Sequence, residues 1–474
     1  MILSLRSVIV CDGAGDWCGW RNADLSLWQQ ISQNQGAAIF EQEQTFSYAQ
    51  LCLAAMQRAE GLGTTRQLVL LLADNSLDTL TTYLACLVAK HPVILLSSSL
   101  SDDVVQQLIA TYQPNWLFRP HQAPVQLTAK QHHFADELAV MLTTSGSTGN
   151  AKLVRLSETN LAANANSICQ YLGMKPDDRA LTALPFAYSY GLSVINSHLL
   201  CGASITMTND GPLERGFWQL LKTQPITQLT GVPYSYQIYE QLRLRRQKWP
   251  HLRIMTQAGG RMPPERVLDY ARWCADEQIA FYVMYGQTEA TARMTYLPPE
   301  LALQHPDSIG VPIPQGEMLI LDEQGNSLSD GVGELCYQGP NVMLGYASQL
   351  SDLALPANEP CLRTGDLGYR NAQGLLFVTG RLKRQIKLTG IRWQLDAFEQ
   401  QCKQHGWDVV CCGEDQKLCV ACVCVDHAEP LIAHLREVHQ LHPSLFQVIV
   451  VDAIPRTHAG KIDYPALNAQ FGVA

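Results

Sequence analysis

The stretch Met141-Leu-Thr-Thr-Ser-Gly-Ser-Thr-Gly-Asn-Ala-Lys152 joins an apolar run to a short segment of hydroxyl residues, glycines and one lysine. Glycine lets a backbone approach a ligand closely, so the N–H groups and hydroxyls of such a loop can surround polyphosphate oxygens. The G-x-x-x-x-G-K-[ST] pattern of common nucleotide hydrolases does not fit, because Leu153 and no hydroxyl residue follows the lysine. The stretch therefore predicts a strand that leads into a nucleotide-binding loop of another kind.

The segments around this loop predict a parallel sheet with helices between its strands. Leu68–Leu72 and Pro92–Leu96 are typical of buried strands, and Ser76–Lys90 between them has helical spacing of apolar residues. Leu138–Leu142 predicts a further strand, and Ser157 suits the N-cap of the helix that follows. Alternating patterns predict additional strands at Arg179–Leu184, Phe217–Thr223, Gln228–Pro233 and Arg253–Gln257.

The texture of the chain changes after Gln304, where glycine and proline separate short β-type runs. These runs are Met318–Leu321, Gly333–Gln338 and Leu375–Val378. We expect a mixed α/β fold: a large N-terminal domain (1–382) of parallel-sheet α/β subdomains plus a small β subdomain (about 305–380), then a small α+β C-terminal domain (383–474).

Composition narrows the class of protein. The chain has 474 residues, 47% of them hydrophobic and 16% charged, which suits a large packed core. A net charge of -9 argues against nucleic acid as the main partner. We predict no membrane span and no signal peptide, and the 15 scattered cysteines fit a reducing cytoplasm.

Six cysteines lie in the C-terminal region, and Cys419-x-x-Cys422 with His427 nearby raises the possibility of a zinc site. No second Cys or His pair completes the usual tetrahedral set. Because Leu418–Val425 is a continuous apolar run, we favour packing of these cysteines in a core over metal binding.

Five short motifs follow one another along the chain: Thr143-Thr-Ser-Gly-Ser-Thr-Gly-Asn-Ala-Lys152, Tyr285-Gly-Gln-Thr-Glu289, Thr364-Gly-Asp366, Gly380-Arg-Leu-Lys383 and Pro455-Arg-Thr-His-Ala-Gly-Lys461. In this order they resemble the phosphate loop, the adenylate-binding motif, the ribose-binding motif, the interdomain hinge and the C-terminal catalytic-lysine motif of the AMP-forming adenylating enzymes. That superfamily comprises acyl- and aryl-CoA synthetases, peptide-synthetase adenylation domains and beetle luciferases. The resemblance extends from Thr45 to Leu467.

The resemblance implies an ATP-dependent carboxylic acid ligase that forms an acyl-AMP and pyrophosphate with Mg²⁺. Its implied catalytic residues are Lys461, Lys152, Thr288 and Glu289, the last of which would also bind the metal ion. The implied nucleotide-binding residues are Thr144, Ser145, Gly146, Ser147, Thr148, Gly149, Gly259, Gly260, Tyr285, Gly286, Gln287, Asp366 and Arg381.

The resemblance also implies a second half-reaction, in which a thiol attacks the acyl-adenylate after the C-terminal domain rotates. Lys383 matches the hinge position, and Lys387 matches a lysine that acts in the thiol step. Coenzyme A is the expected acceptor, and the phosphopantetheine of a carrier protein is the alternative. A catalytically inactive nucleotide-binding relative is a further alternative, which retention of Glu289, Asp366 and Lys461 disfavours.

Tyr188, Ser189, Tyr190 and Gly191 are the expected substrate-binding residues. Tyr188 stands where acyl-CoA synthetases often have histidine, and both tyrosines could instead be core aromatics. No aspartate near Gly231–Pro233 matches the one that holds an amino group in peptide synthetases. Because few charges occur in the expected pocket segments, with Arg293 at their edge, an apolar or aromatic carboxylic acid is the predicted substrate.

Overall fold

The computed structural model describes residues 25–143, 152–358, 361–388, 391–456 and 462–472. The predicted phosphate-loop residues Thr144, Ser145, Gly146, Ser147, Thr148 and Gly149 and the predicted catalytic Lys461 lie outside these ranges, as does the side chain of the predicted hinge residue Lys383. The predictions made for them stay predictions.

The described residues form strands β1 Ala37–Glu41, β2 Gln44–Ser47, β3 Val69–Ala73, β4 Val93–Ser97, β5 Trp116–Phe118, β6 Val125–Gln126, β7 Leu138–Thr143, β8 Leu153–Ser157, β9 Arg179–Leu181, β10 Ser204–Met207, β11 Gln228–Gly231, β12 Ile254–Gln257, β13 Ala280–Tyr285, β14 Thr295–Leu297, β15 Val311–Pro312, β16 Glu317–Leu321, β17 Gly333–Gln338, β18 Gly345–Ala347, β19 Cys361–Arg370, β20 Leu376–Arg381, β21 Gln385–Leu388, β22 Ile391–Gln394, β23 Val409–Glu414, β24 Lys417–Cys422 and β25 Phe446–Val450.

The helices are α1 Leu27–Ser32, α2 Tyr48–Leu62, α3 Leu77–Val88, α4 Asp102–Tyr112, α5 Glu158–Tyr171, α6 Ser189–Cys201, α7 Arg215–Thr223, α8 Pro233–Gln241, α9 Pro264–Asp276, α10 Leu395–Gln404, α11 Ala428–Glu437 and α12 Tyr464–Phe471. Within the described ranges, no helix combines the length and the apolar character that crossing a membrane requires.

Two large sheets organise the N-terminal part of the fold, with strand orders β15-β14-β13-β12-β11-β9-β10-β1-β2 and β18-β8-β7-β4-β3-β5-β6. Parallel pairing runs through the middle of both, as the predicted β-α-β units require. The largest hydrophobic core cluster includes Ile205 of the first sheet, Leu95 of the second and Ile195 of α6. Every residue of α6 is buried. This helix therefore lies in a core that both sheets share.

A four-stranded antiparallel sheet, β16-β17-β19-β20, follows, and its first, second and fourth strands correspond to the predicted β-type runs. Strand β19 was not predicted, because polar residues and Gly365 interrupt its apolar pattern. The mixed α/β fold class is confirmed, whereas the exact domain boundaries stay predictions.

One strand prediction is wrong. The segment Phe217–Thr223 belongs to helix α7, not to a strand. Phe217 and Leu221 are its buried residues, and their spacing of one helical turn puts both on the same face. By contrast, Ser157 caps α5 as predicted and forms a reciprocal capping box with Asn160.

The C-terminal part contains the sheet β23-β24-β25, with α10, α11 and α12 against it. The cysteines pack in its cores as predicted: Cys402, Cys411, Cys412, Cys419 and Cys422 are buried members of two hydrophobic clusters. In the part of the chain that the structure describes, no group of three or more His, Cys, Asp or Glu side chains is placed to hold a metal ion.

Buried histidines predict how stability depends on pH. Burial lowers the pKa of His198 to about 4, and its Nδ1 donates to the Val194 carbonyl at 2.8 Å. Burial also lowers the pKa of His91, His434 and His439. Because the unfolded chain binds these protons more readily, the free energy of unfolding should fall as pH drops from about 6.5 towards 4, with His198 contributing up to roughly 3 kcal/mol.

Urea unfolding across this pH range checks the expectation, with His198→Gln as the test variant. The variant should show a shallower dependence of unfolding free energy on pH than the native sequence. Identical slopes for the two proteins would remove His198 as a cause.

Candidate active site

The predicted pocket segments meet at the carboxyl ends of neighbouring parallel strands. Strands β11, β12 and β13 pair in parallel and end at Gly231, Gln257 and Tyr285. Ligands of open α/β sheets bind at this edge, because the loops that leave the strands there enclose a crevice. The topology thus brings together segments that are far apart in the sequence.

Asp366 is the centre of a polar cluster that joins two of the motifs. Its carboxylate is 2% exposed and accepts hydrogen bonds from Tyr285 Oη, from Gln287 Nε2 at 3.1 Å and from Arg381 Nε at 2.9 Å. Gln287 Nε2 also donates to the Thr364 carbonyl at 2.9 Å. Burial, and then the charge of Asp366, raises the pKa of Tyr285 well above its ordinary value, so this hydroxyl stays a donor.

Asp366 lies within strand β19, opposite Arg381 of β20, and not in a turn. Cross-strand pairing therefore sets the distance between its carboxylate and the guanidinium. The Arg381 side chain is mostly exposed, so it can also reach a ligand at the surface of the cluster.

The turn after Tyr285 is tightly folded. A Cβ atom at Gly286 would lie 1.5 Å from the Ala292 carbonyl oxygen, so only glycine fits there. Thr291 and Ala292 have φ values of 55° and 98°, a left-handed conformation that is costly for residues with a side chain. Such backbone strain is typical of segments held in place for function.

Thr288 and Glu289 lie on a short 3-10 helix within this turn. The Thr288 hydroxyl is 3.1 Å from the Ser189 hydroxyl at the start of α6. Glu289 Oε1 accepts a hydrogen bond from Tyr346 Oη at 2.8 Å, and Lys152 Nζ is 5.9 Å from the centre of the Tyr346 ring. The predicted catalytic residues Lys152, Thr288 and Glu289 are thus neighbours, linked by a tyrosine.

Sequence reasoning missed Tyr346. It lies on β18, which pairs with β8 directly after the predicted phosphate loop. Burial, and then the Glu289 charge, raises the pKa of Tyr346. Because its partner Glu289 is 57 residues away, no local pattern could have revealed the contact.

The predicted substrate-binding residues form the adjoining wall. Tyr188 and Tyr190 have ring centres 6.2 Å apart, and Tyr190 Oη is 2.8 Å from Thr256 Oγ1. A Cβ at Gly259 would lie 2.5 Å from Tyr188 Oη, so this glycine makes room for the tyrosine. Gly191 is equally constrained, since its Cβ would lie 2.2 Å from the Pro185 carbonyl oxygen. Gly260 follows Gly259 on the same loop.

Arg293 is a full member of this wall. The residue is 1% exposed, and its guanidinium carbon is 4.2 Å from the centre of the Tyr190 ring. Burial raises the pKa of Tyr171, Tyr188 and Tyr190 to about 12, although the Arg293 charge opposes this rise. The expectation of a pocket with few charges and Arg293 at its edge is therefore wrong. A charged side chain was expected to face water, whereas the turn after Ala292 directs this one inward.

Lys387 is not brought to this cluster. The residue is exposed on β21, and its backbone N–H donates to Asp415 at 2.8 Å. Within the described part of the chain, its ammonium group contacts none of the other predicted site residues.

The fold and the site define a nucleotide-binding α/β protein, with aromatic rings, hydroxyls and carboxylates gathered at the carboxyl ends of parallel strands. Residues 123–347 match the model of the family described as AMP-binding enzyme. The chain belongs to the superfamily of AMP-forming adenylating enzymes, as its motifs predict.

Curated relatives and solved structures agree with this membership. Indoleacetate–CoA ligase from Aromatoleum aromaticum is 27% identical over 416 residues, which cover 77% of this chain and 79% of the relative. Delta-poly-L-ornithine synthetase from Acinetobacter baumannii is 28% identical over 78% of this chain, but the match covers only 29% of that protein. The chain also spans about half the length of several other curated relatives.

The structure of o-succinylbenzoate CoA synthetase from Bacillus subtilis, in complex with its acyl-adenylate intermediate, superimposes with a TM-score of 0.75. The two chains are 21% identical, and the alignment covers 93% of this chain and 97% of the other. At this level of identity, the similarity establishes the shared fold.

Proposed function

We propose that this protein is an ATP-dependent carboxylic acid–thiol ligase. A carboxylate oxygen attacks the α-phosphorus of ATP, the bond from that phosphorus to the bridging oxygen breaks, and pyrophosphate leaves. A thiol sulfur then attacks the acyl carbon, and AMP leaves. The observation that carries the proposal is the convergence of Asp366, Tyr285 and Gln287 with the Thr288–Ser189 contact at the carboxyl ends of the strands.

The arrangement assigns a role to each described group. Asp366 and Arg381 take the ribose hydroxyls, the Tyr285 ring lies against adenine, and Thr288 donates to the α-phosphate. Gly259 and Gly260 allow the backbone to approach the nucleotide. Lys461 is proposed to place its ammonium group where negative charge develops between the carboxylate and the α-phosphate. Charge stabilisation of this kind, and not covalent catalysis, dominates phosphoryl-type transfers.

Glu289 fits a magnesium site. It supplies a hard carboxylate oxygen, and the Tyr346 hydroxyl orients the group at 2.8 Å. Magnesium commonly takes one carboxylate together with nucleotide phosphates. Bound there, the ion would neutralise phosphate charge, and Lys152 lies close enough to contribute to the same end.

Coenzyme A is the proposed thiol acceptor, since several curated relatives are named CoA ligases. A carrier-protein phosphopantetheine is the second candidate, because the match with delta-poly-L-ornithine synthetase covers 78% of this chain. A basic cluster, Arg243–Lys248, gives this candidate little support. Arg245 pairs with Glu240 at 4.0 Å, and Lys248 pairs with Glu277 at 2.6 Å.

Pyrophosphate–ATP exchange across fatty, aromatic, amino and dicarboxylic acids tests the proposal. Exchange that depends on one class of acid, with AMP as the nucleotide product, is the expected result. Each active acid is then offered CoA or a phosphopantetheinyl carrier, and thioester formation identifies the acceptor. Exchange with no acid, or release of ADP, would refute the adenylation chemistry.

The proposed hinge predicts that the two half-reactions can be separated. Lys383→Pro should leave pyrophosphate exchange close to that of the native protein but reduce thioester formation roughly 100-fold or more, because proline fixes φ where the backbone must rotate. Leu382→Pro is not a suitable control, since it alters the same 3-10 helix. Lys383→Ala, which keeps backbone freedom, is the matched control and should retain both steps. Equal losses in both steps for Lys383→Pro would contradict the hinge role.

A further inference from the structure

Arg293 is a buried charge without a counterion. One guanidinium nitrogen donates to Ser193 Oγ at 3.1 Å, and the other contacts Tyr171 Oη at 3.2 Å and the Met284 sulfur. Its Nε is buried and has no hydrogen-bond partner. In the described part of the chain, no acidic side chain forms an ion pair with it. Neutral hydroxyls, a thioether and the Tyr190 ring are weak compensation for a buried cation.

Another buried arginine shows what a structural role looks like in this fold. Arg155 is also 1% exposed, but its terminal nitrogens donate to three backbone carbonyls, those of Leu344, Leu355 and Pro356. These contacts fasten a loop to β8. Arg293 makes no side-chain contact with backbone oxygens among those the structure describes, so its guanidinium fastens nothing comparable.

The backbone of Arg293 is nevertheless held firmly. Its carbonyl oxygen accepts hydrogen bonds from Asn164 Nδ2 at 3.1 Å and from Asn341 Nδ2 at 2.9 Å. The preceding Ala292 has the strained φ of 98°. The structure therefore directs a charged side chain inward and keeps it there, which is costly unless the charge has a use.

Helix α6 relates this charge to the reacting end of the site. Ser189 contacts Thr288, where the α-phosphate is proposed to bind, and Ser193 contacts Arg293. These serines are one helical turn apart, which corresponds to roughly 5–6 Å along the helix axis. An acid whose reacting carboxyl group lies beside Thr288 can therefore reach Arg293 with a short tail.

We propose that Arg293 recognises an anionic group, foremost a second carboxylate, at the far end of the acid, so that the protein activates short acids with an anionic tail. This inference rests on the proposed adenylation function and names its substrate class. A guanidinium matches a carboxylate in geometry as well as charge, and the orphan Nε with an adjacent terminal nitrogen offers the paired donors that such a group accepts. It replaces the apolar or aromatic acid that the sequence alone suggested.

Matched pairs of acids test the inference by pyrophosphate–ATP exchange. Succinic, glutaric and adipic acids are each compared with their monomethyl esters, which keep the length and remove the far charge. The native protein should favour at least one diacid over its ester by roughly 100-fold in kcat/KM, because a site built for a polar group rejects the analogue that lacks it. A parallel arm with sulfonate-tailed acids of equal length distinguishes carboxylate from other anions, and a preference for either anion supports the proposal.

Arg293→Met should bring the diacid-to-ester ratio close to one, and Arg293→Lys should retain part of the preference. Arg179→Met is the matched control. Arg179 also lies over an aromatic ring, 3.5 Å from the centre of Phe40, but at the amino end of β9. It should leave the ratio unchanged. If Arg293→Met does not fold, the native ratio and the lysine variant still decide.

Two results would overturn the inference alone: exchange in the native protein that favours apolar acids or the esters, or a folded Arg293→Met with the native ratio. Exchange with no acid of any class is a different outcome, because it would remove the proposed function itself.

Discussion

Asp366→Asn should reduce kcat/KM for ATP in pyrophosphate exchange by roughly 100-fold or more, which corresponds to about 3 kcal/mol. The native carboxylate accepts from Tyr285, Gln287 and Arg381. An amide in its place directs N–H groups at one or more of these donors and removes the charge that balances Arg381. Because both ribose recognition and the alignment of the Tyr285 ring depend on this acceptor, we expect weaker ATP binding. Isothermal titration with ATP and steady-state exchange measure the two effects.

The control for Asp366→Asn is Asp178→Asn. Asp178 is equally buried, at 1% exposure, and pairs with Arg253. It lies at the amino ends of β9, β11 and β12, at the opposite edge of the sheet from the site. The control should lose stability to a similar degree but bind ATP as the native protein does at temperatures where it is folded. Equal loss of ATP binding in both variants would show that Asp366 acts only through stability.

Gly286→Ala should reduce the exchange rate by roughly 100-fold, because misplacement of catalytic groups by about 1 Å costs this much. The new Cβ would collide with the Ala292 carbonyl at 1.5 Å, and its nearest neighbours are all backbone atoms. The turn must therefore open, which displaces Thr288 and Glu289 from Ser189 and Tyr346. Unfolding should be easier by only about 1–3 kcal/mol, since the strain is local.

Gly61→Ala is the matched control for this substitution. Gly61 lies in α2, and a Cβ there meets no atom within 4 Å. Alanine should leave exchange unchanged and raise helix stability by up to about 1 kcal/mol. If Gly286→Ala exchanged at the native rate, the close approach of Ala292 would not be needed to position the turn.

Local patterns predicted much of this protein. Leu138–Leu142 and Ser157 were interpreted correctly because buried parallel strands are continuously apolar and a serine N-cap satisfies the first N–H groups of a helix. The motif residues Tyr285, Gln287 and Asp366 were identified as one site although 79 residues separate Gln287 from Asp366. Their residue types are dictated by the atoms of the nucleotide, so they can be recognised one at a time.

Only the tertiary structure decided the contacts that have no local pattern. Phe217–Thr223 forms a helix because Phe217 and Leu221 share one buried face, which an alternating interpretation misses. Tyr346 reaches Glu289 through strand pairing, and Arg293 is buried by a strained turn although most arginines face water. The sequence by itself determined the superfamily and the groups that meet the nucleotide, since those depend on residue type and order. The acid-binding wall depends on which side chains distant segments turn towards one another, and that is set by packing.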